Sequence, residues 1–238
     1  MSRVIAVICA RGGSTGVPHK NLVELGGTPL VAITARQARR CGLFDAVAVS
    51  SDDARILAVA AAAGADQQVS RPAALSHDTA PKLPAIRHCV ETVEQRLGFR
   101  FDVACDLDVT TPLRSDDDIR GALALLAADR DATSVMTASP ASKSPYFNIV
   151  EVADDGRVSL SKETATPLHA RQQAPPCFDL SGSVYALERA QLDAAAEVIN
   201  SGLRLHVVAR ERAIDINEPL DLALVELLMS RAREDTRP

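Results

Sequence analysis

From Val4 to Ala10 the chain is an unbroken apolar run, and it stops at Arg11-Gly12-Gly13. A run of this length closed by glycine is how a strand covered on both faces reads. Such strands belong to parallel sheets, whose neighbours must be joined by crossover connections, usually helices. The rest of the chain supplies them. Leu30 to Arg40 has helical periodicity, with Leu30, Ile33, Thr34 and Ala38 on a face opposite Arg36 and Arg40. Ala46 to Val49 reads as the next strand, and Asp53 opens an Ala-rich helix that stops at Gly64. A short strand at 66–69, a helix from Pro84 to Leu97 and a strand from Val103 to Asp108 follow. Ser115 caps a helix over Asp116 to Ala128, and 132–138 is a further strand. Strand Val184–Leu187, helix Arg189–Val198, strand Leu203–Ala209 and a helix from Pro219 to about Arg233 close the pattern. The alternation predicts an α/β fold: an open, mostly parallel sheet with helices on both faces.

The stretch from about 140 to 180 departs from this rhythm. It is rich in Pro, Ser and polar residues, with short β-like pieces at Phe147–Val152 and Val158–Leu160, and reads as an inserted arm. The whole chain, 1–238, is expected to be one domain carrying that arm. Aromatic residues make up only 3% and Trp is absent, so the core must come from Ala, Val, Leu and Ile, and stacking platforms for single-stranded nucleic acid are scarce. The net charge of -5, with no basic block, disfavours duplex nucleic acid and membrane surfaces as partners. Five cysteines without C-x-x-C spacing read as free thiols in a reducing compartment, and the five histidines show no metal-ligand spacing. The N-terminal apolar stretch is too short for a membrane span and lacks the form of a signal peptide, so the expected location is cytoplasmic.

The first strand delivers the segment from Cys9 to Asn21, which gathers Gly12, Gly13, Gly16, Arg11 and Lys20 at one strand end. Ligands of open α/β sheets bind outside the carboxyl ends of the strands. A glycine turn there lets backbone N–H groups approach phosphate oxygens, and two cations would neutralise a triphosphate and a departing pyrophosphate. A dinucleotide fingerprint would run directly into a helix, whereas here Pro18 and a second loop, Leu25 to Pro29, intervene. Several acidic residues have structural readings. Asp52 and Asp53 suit the cap of the following helix. Asp116, Asp117 and Asp118 suit a helix N-terminus. Asp108, at a strand end, leans toward a site role, and Cys9 and Cys105 read as core.

The segment ARGGSTGVPHKN resembles ARxGSKGxxxKN, the signature of the CMP-sialic acid and CMP-ketodeoxyoctonate synthetases. Further matches follow in order. They are Val49 to Asp53, Arg71 to Leu75 with Asp78-Thr79-Ala80, Thr110 to Arg114, Arg171-Gln172-Gln173, Gly182 to Tyr185, and Ala213 to Asn217. Thr79 to Pro84, Asp106 to Thr110, Ser144 to Asn148 and Cys177-Phe178-Asp179 are similar to the CMP-legionaminic acid synthetase branch. The ordinary sialic acid enzymes have Ser at the position of Lys82 and Gln at that of Asp108.

The resemblance implies a nucleotidyltransferase of glycosyltransferase-A-like fold that couples CMP from CTP to an acidic nine-carbon sugar. Ala10, Arg11, Gly12, Gly13, Ser14, Lys20 and Asn21 would hold phosphates and ribose, with Arg71, Ala80 and Lys82 on the cytosine side. Asp108, Thr110, Arg114 and Tyr185 would meet the sugar. Arg171 and Gln173 would reach from the arm of a homodimer into the neighbouring site. Arg11, Lys20 and Asp215 would be catalytic, with Mg²⁺ on Asp215 and Asn217. Three departures stand out. Thr15 replaces a loop lysine, Asn217 replaces an aspartate, and Asp179 and Ser181 replace the Arg and Asn of an R-x-N-G stretch. The first two bear on phosphate and metal affinity, the third on the sugar. Ketodeoxyoctonate, pseudaminate, a phosphonate or a methylerythritol phosphate remain alternative acceptors. A nucleotide-binding protein that has lost catalysis remains an alternative class.

Overall fold

A computed structural model of the chain describes residues 2–13, 16–164, 166, 168 and 170–235. In chain order the elements are β1 (Val4–Cys9), β2 (Glu24–Leu25), β3 (Thr28–Pro29), α1 (Leu30–Arg40), β4 (Ala46–Ser51), α2 (Ala54–Ala62), β5 (Gln67–Ser70) and α3 (Lys82–Leu97). They continue with β6 (Val103–Leu107), α4 (Asp116–Ala128), β7 (Ser134–Pro140), β8 (Val150–Val152), β9 (Val158–Leu160), β10 (Phe178–Glu188), α5 (Arg189–Ala194), β11 (Leu203–Val207) and α6 (Pro219–Asp235). Seven strands form one sheet in the order β11-β7-β10-β6-β1-β4-β5. All run in the same direction except β10, which is antiparallel to both β6 and β7. The expected open, mostly parallel sheet is therefore present.

β1 is the middle of the parallel half, paired with β4 on one side and β6 on the other. Its residues alternate between two cores, as a period of two requires. Ala6 and Ile8 pack with Leu30, Val31 and Ile119 beneath α1 and α4. Ile5 and Val7 pack with Leu83, Ile86 and Val90 of α3. Ile5 and Ile8 are fully excluded from solvent, which is worth roughly 1.5–3 kcal/mol for a side chain of this size. With no Trp, the largest fully buried side chains are Tyr185 and Phe101.

The helix boundaries follow local chemistry. The Asp53 side chain accepts from the Arg55 N–H and caps α2. Ser115 and Asp118 form a reciprocal capping box that starts α4 at the expected residue. Gly98, at φ 73°, ends α3 in the left-handed conformation that glycine adopts without penalty. α3 begins at Lys82, two residues before the expected start, because a proline in the first turn gives up only an N–H that has no helical partner. The larger correction concerns β10. The expected strand Val184–Leu187 is only the buried end of an eleven-residue antiparallel strand that runs out to Phe178. The β8–β9 hairpin stands apart from this sheet, and its six strand residues are all exposed. No helix among the described residues is long and apolar enough to cross a membrane.

Candidate active site

The carboxyl ends of β1, β4 and β6 open into a cavity of about 450 Å³. Cys9, Arg11, Lys20, Arg71, Lys82 and Asp108 are among the residues that line it, so residues far apart in sequence meet at one sheet edge. A second hollow, of about 790 Å³, lies at the opposite end of the sheet and contains none of the site residues expected from sequence.

The glycine loop is braced from several directions. The Ala10 N–H donates to the Ser50 carbonyl at 3.0 Å, and Ala10 is buried. The Gly12 N–H donates to Asp52 Oδ1 at 2.9 Å. Asn21 is buried and donates from Nδ2 to the Arg11 carbonyl at 2.8 Å. Gly16 lies so close to the chain ahead of α6 that a Cβ there would meet the Asn217 carbonyl oxygen at 2.1 Å. His19, the only non-glycine residue with positive φ among those described, turns the chain at φ 52° just before Lys20. Such a residue is strained by roughly 1–3 kcal/mol, and strain of this kind gathers at functional sites. Lys20 Nζ then donates to the Ile216 carbonyl at 2.5 Å and lies 3.4 Å from Asn217 Oδ1. Arg11 Nη1 reaches Asp78 Oδ1 at 2.5 Å across the mouth of the cavity. Gly13 has open space around its Cα. Ser14 and Thr15 lie outside the described residues.

The other end of the cavity is built around Lys82. Its ammonium is 2.6 Å from Asp106 Oδ2 and 3.0 Å from Asp108 Oδ2. Burial would push this lysine down, but the two carboxylates outweigh it and hold the group above its ordinary value. Burial also raises the Asp108 carboxyl, yet the Lys82 charge and the hydrogen bonds from Thr110 and Lys82 bring it to about 2. At Asp106 burial wins, and its carboxyl sits above the usual carboxylate range. Arg71 donates from Nη2 to the Ser50 carbonyl at 2.6 Å, while its Nε is buried without a partner among the described residues. Ala80 lines the same wall, its N–H donating to the His77 carbonyl.

Two residues expected at the sugar do not line this cavity. Arg114 is buried and braces the strand end, donating from Nη1 to the carbonyls of Asp108 at 3.0 Å and Ser183 at 2.7 Å and from Nε to Gln37 Oε1 at 3.0 Å. Tyr185 is 1% exposed and packs in the core on the α3 side of the sheet. Neither lines the cavity, whereas Thr110 does, held by its N–H and hydroxyl bonds to Asp108 Oδ1. On the arm, Gln173 Oε1 accepts from the Ala170 N–H in a short helical turn, and the Arg171 side chain lies outside what is described. Cys9, expected in the core, is half-buried at the cavity floor, its thiol pushed up to about 12 by burial and the neighbouring Asp106 charge. Cys105 is fully buried as expected.

The fit to a divalent ion can be tested at Asp215. Its Oδ2 accepts from Asn217 Nδ2 at 3.0 Å, while Oδ1 is buried with no partner among the described residues. The orphaned anionic oxygen of Asp215 suits a hard cation completed by phosphate oxygens and water, whereas Asn217 turns its Nδ2 to Asp215 and its Oδ1 to Lys20. Among the described residues, no group of three or more His, Cys, Asp or Glu side chains is gathered to hold a metal by itself.

Sequence reasoning missed Asp52, Asp78 and Asp106 as members of this constellation. Asp106 had a visible signal, an acid inside the otherwise apolar run of β6. Asp78 and Asp52 fell inside matched segments, but nothing in the sequence tied them to Arg11 and Gly12, which are distant along the chain.

The sequence profile of a family described as "Cytidylyltransferase" matches residues 5–197. The chain is 34% identical to the post-translational flagellin modification protein B of Campylobacter coli, over 96% of each chain. It is also 34% identical to the CMP-N,N'-diacetyllegionaminic acid synthase of Campylobacter jejuni, over 97% of this chain and 96% of that one. Among solved structures it is similar to a CMP:2-keto-3-deoxy-manno-octonic acid synthetase complexed with CTP, with a TM-score of 0.71, 19% identity and coverage of 97% and 100%. At that identity the likeness establishes the fold.

Proposed function

The chain belongs to the cytidylyltransferase family, and we propose that it transfers CMP from CTP to the anomeric hydroxyl of a sialic-acid-like nonulosonic acid, of legionaminate type, and releases pyrophosphate. The observation that carries this reading is the cavity at the strand ends, lined by the loop cations Arg11 and Lys20 together with Arg71 and Lys82. The name of the Campylobacter jejuni relative, matched over nearly the full length of both chains, supports the acceptor class.

The anomeric oxygen attacks the α-phosphorus, the bond to the bridging oxygen of the β-phosphate breaks, and the sugar hydroxyl loses its proton. Such displacements depend on positioning and charge neutralisation more than on covalent chemistry. Arg11 exchanges Asp78 for phosphate oxygens, and Lys20 offers its charge from a position fixed by the Ile216 carbonyl. Mg²⁺ on Asp215 supplies further neutralisation of the phosphates when bound. Pairing of two chains through the arm is supported by the exposed apolar residues Val150, Val152, Val158, Leu160, Phe178 and Leu180. A cytoplasmic location is supported by five cysteines that are all free.

The test is pyrophosphate release with CTP, Mg²⁺ and a panel holding legionaminate, N-acetylneuraminate, pseudaminate and ketodeoxyoctonate. Turnover highest with a legionaminate-type acid and abolished by EDTA is expected. Turnover only with ketodeoxyoctonate, or with none of the four, overturns the assignment.

A further inference from the structure

We propose that Asp221 is a positioning residue that acts through Lys20, orienting two consecutive peptide groups of the turn ahead of α6 whose carbonyls hold the lysine and the glycine loop in place. The proposal rests on the CTP-dependent reading above and adds a residue to the reaction it describes.

A trans peptide group points its N–H and its C=O in opposite directions, so an acceptor that captures the N–H also aims the carbonyl. No cis peptide bond occurs among the described residues. Asp221 Oδ2 accepts from two successive peptide groups, the Asn217 N–H at 2.8 Å and the Glu218 N–H at 2.9 Å. The carbonyl of the first group is that of Ile216, which takes the Lys20 ammonium at 2.5 Å. The carbonyl of the second is that of Asn217, the one that a Cβ on Gly16 would meet at 2.1 Å. Both N–H ends therefore sit on one carboxylate oxygen, and both carbonyl ends meet the glycine loop. The further contact of the ammonium, Asn217 Oδ1 at 3.4 Å, belongs to the same turn. One peptide earlier, the Ile216 N–H donates to the Thr110 carbonyl at 2.9 Å and ties the turn to the segment after β6. Gly16, Lys20, Thr110 and Asn217 line the cavity, and Asp221 does not.

Charge makes the arrangement more than a brace. The Asp221 carboxylate at the N–H end and the Lys20 ammonium at the C=O end polarise the Ile216–Asn217 peptide group in the same sense, so each hydrogen bond strengthens the other. Lys20 is thereby held by a charge on the far side of a peptide group. Its flexible four-carbon stem gives it no fixed position of its own. The ammonium serves a departing pyrophosphate only from a defined place, and a displacement of about 1 Å can cost 10²-fold in rate. Asp221 also stands in the first turn of α6, where an acid is favoured. A helix cap accounts for the stability of α6 and requires nothing of Lys20, so kinetics separates the two roles.

The experiment compares wild type, Asp221→Ala, Asp221→Asn, Lys20→Met and the double variant of Asp221→Ala with Lys20→Met. All are measured well below their unfolding transitions, with circular dichroism as the folding control. Binding of CTP and of inorganic pyrophosphate is followed by calorimetry, and kcat and KM by pyrophosphate release. Asp221→Ala is expected to weaken pyrophosphate binding and to lower kcat by roughly 10- to 100-fold, with KM for the sugar near wild type. Asp221→Asn keeps an oxygen for the two N–H groups but no charge, and should fall in between. In the Lys20→Met background Asp221→Ala should cost little more, because both changes remove one interaction. A lowered thermal midpoint with wild-type kcat and pyrophosphate binding, or losses that add in the double variant, overturns the proposal and leaves Asp221 as a helix cap. Should Asp221→Ala not fold, Asp221→Asn alone and combined with Lys20→Met carries the same comparison. Pyrophosphate binding needs no acceptor, so a wrong sugar assignment leaves the test intact. Absence of CTP and pyrophosphate binding to wild type overturns the CTP-dependent reading together with the proposal.

Discussion

Arg11 and Asp78 illustrate how a residue can matter to turnover and little to folding. Their ion pair is partly solvated, with side chains 31% and 65% exposed, and exposed pairs contribute about 0–1 kcal/mol. The charge that leaves on pyrophosphate is another matter, because it grows in the transition state. Arg11→Ala is expected to lower kcat by roughly 10²–10³-fold while the thermal midpoint stays near wild type, checked by steady-state kinetics and circular dichroism. The two carboxylates on Lys82 should diverge in their pH dependence. Asp108 has its folded pKa lowered to about 2, so its stabilising contribution is present above the unfolded carboxylate value and lost as pH falls through about 2. Asp108→Asn should therefore lower the urea midpoint at neutral pH, with the gap to wild type closing on acidification. Asp106 is shifted the other way, so its ionisation weighs against the fold as pH rises above the unfolded value. Asp106→Asn should fold at least as stably as wild type at neutral pH, and that advantage should shrink in acid.

At the scale of elements, the parts governed by local chemistry were legible in the sequence and those governed by distant partners were not. α4 begins at the expected residue because Ser115 and Asp118 cap it within one turn. Ser115→Ala should cost about 1 kcal/mol in chemical denaturation without altering kcat. α3 was read from Pro84 because prolines disfavour helix before them, which hid Lys82 as its first residue. β10 was visible only where it is apolar, and its direction could not be read at all, since residues 183–187 are buried on both faces and carry no polar alternation. Tyr185 was assigned to the sugar by the family resemblance alone, and its ring lies in the core. Arg114 sat at a plausible strand end, but its carbonyl partner Ser183 lies 69 residues away. Arg11, Gly16, Lys20 and Asn21 of the glycine loop line the cavity, and this part of the site could be singled out because strand, glycines and cations are contiguous in sequence.

The molecule as a whole joins an open, well-covered sheet to an exposed arm, and the arm bears on assembly. Light scattering is expected to show a dimer, and replacing residues 149–161 by a short Gly-Ser turn should give a folded monomer. A fully active monomer of the intact chain would refute the pairing. The seam between the two parts is irregular. Phe178 to Leu180 pair with Pro140 to Ala138, Tyr185 to Leu187 pair with Met136 to Ser134, and the register shifts between them. Gly182 turns there at φ 59°, and the Ser181 hydroxyl anchors the step by hydrogen bonds to Thr137. Because the slack is absorbed at that step, an insertion or a swapped stretch on the outer side does not slide the inner residues past Asp106, which Tyr185 faces across β6. Over generations such a chain has a region free to diverge in its choice of neighbours and acceptors beside one inherited nearly intact, and lineages should differ most on the far side of Gly182.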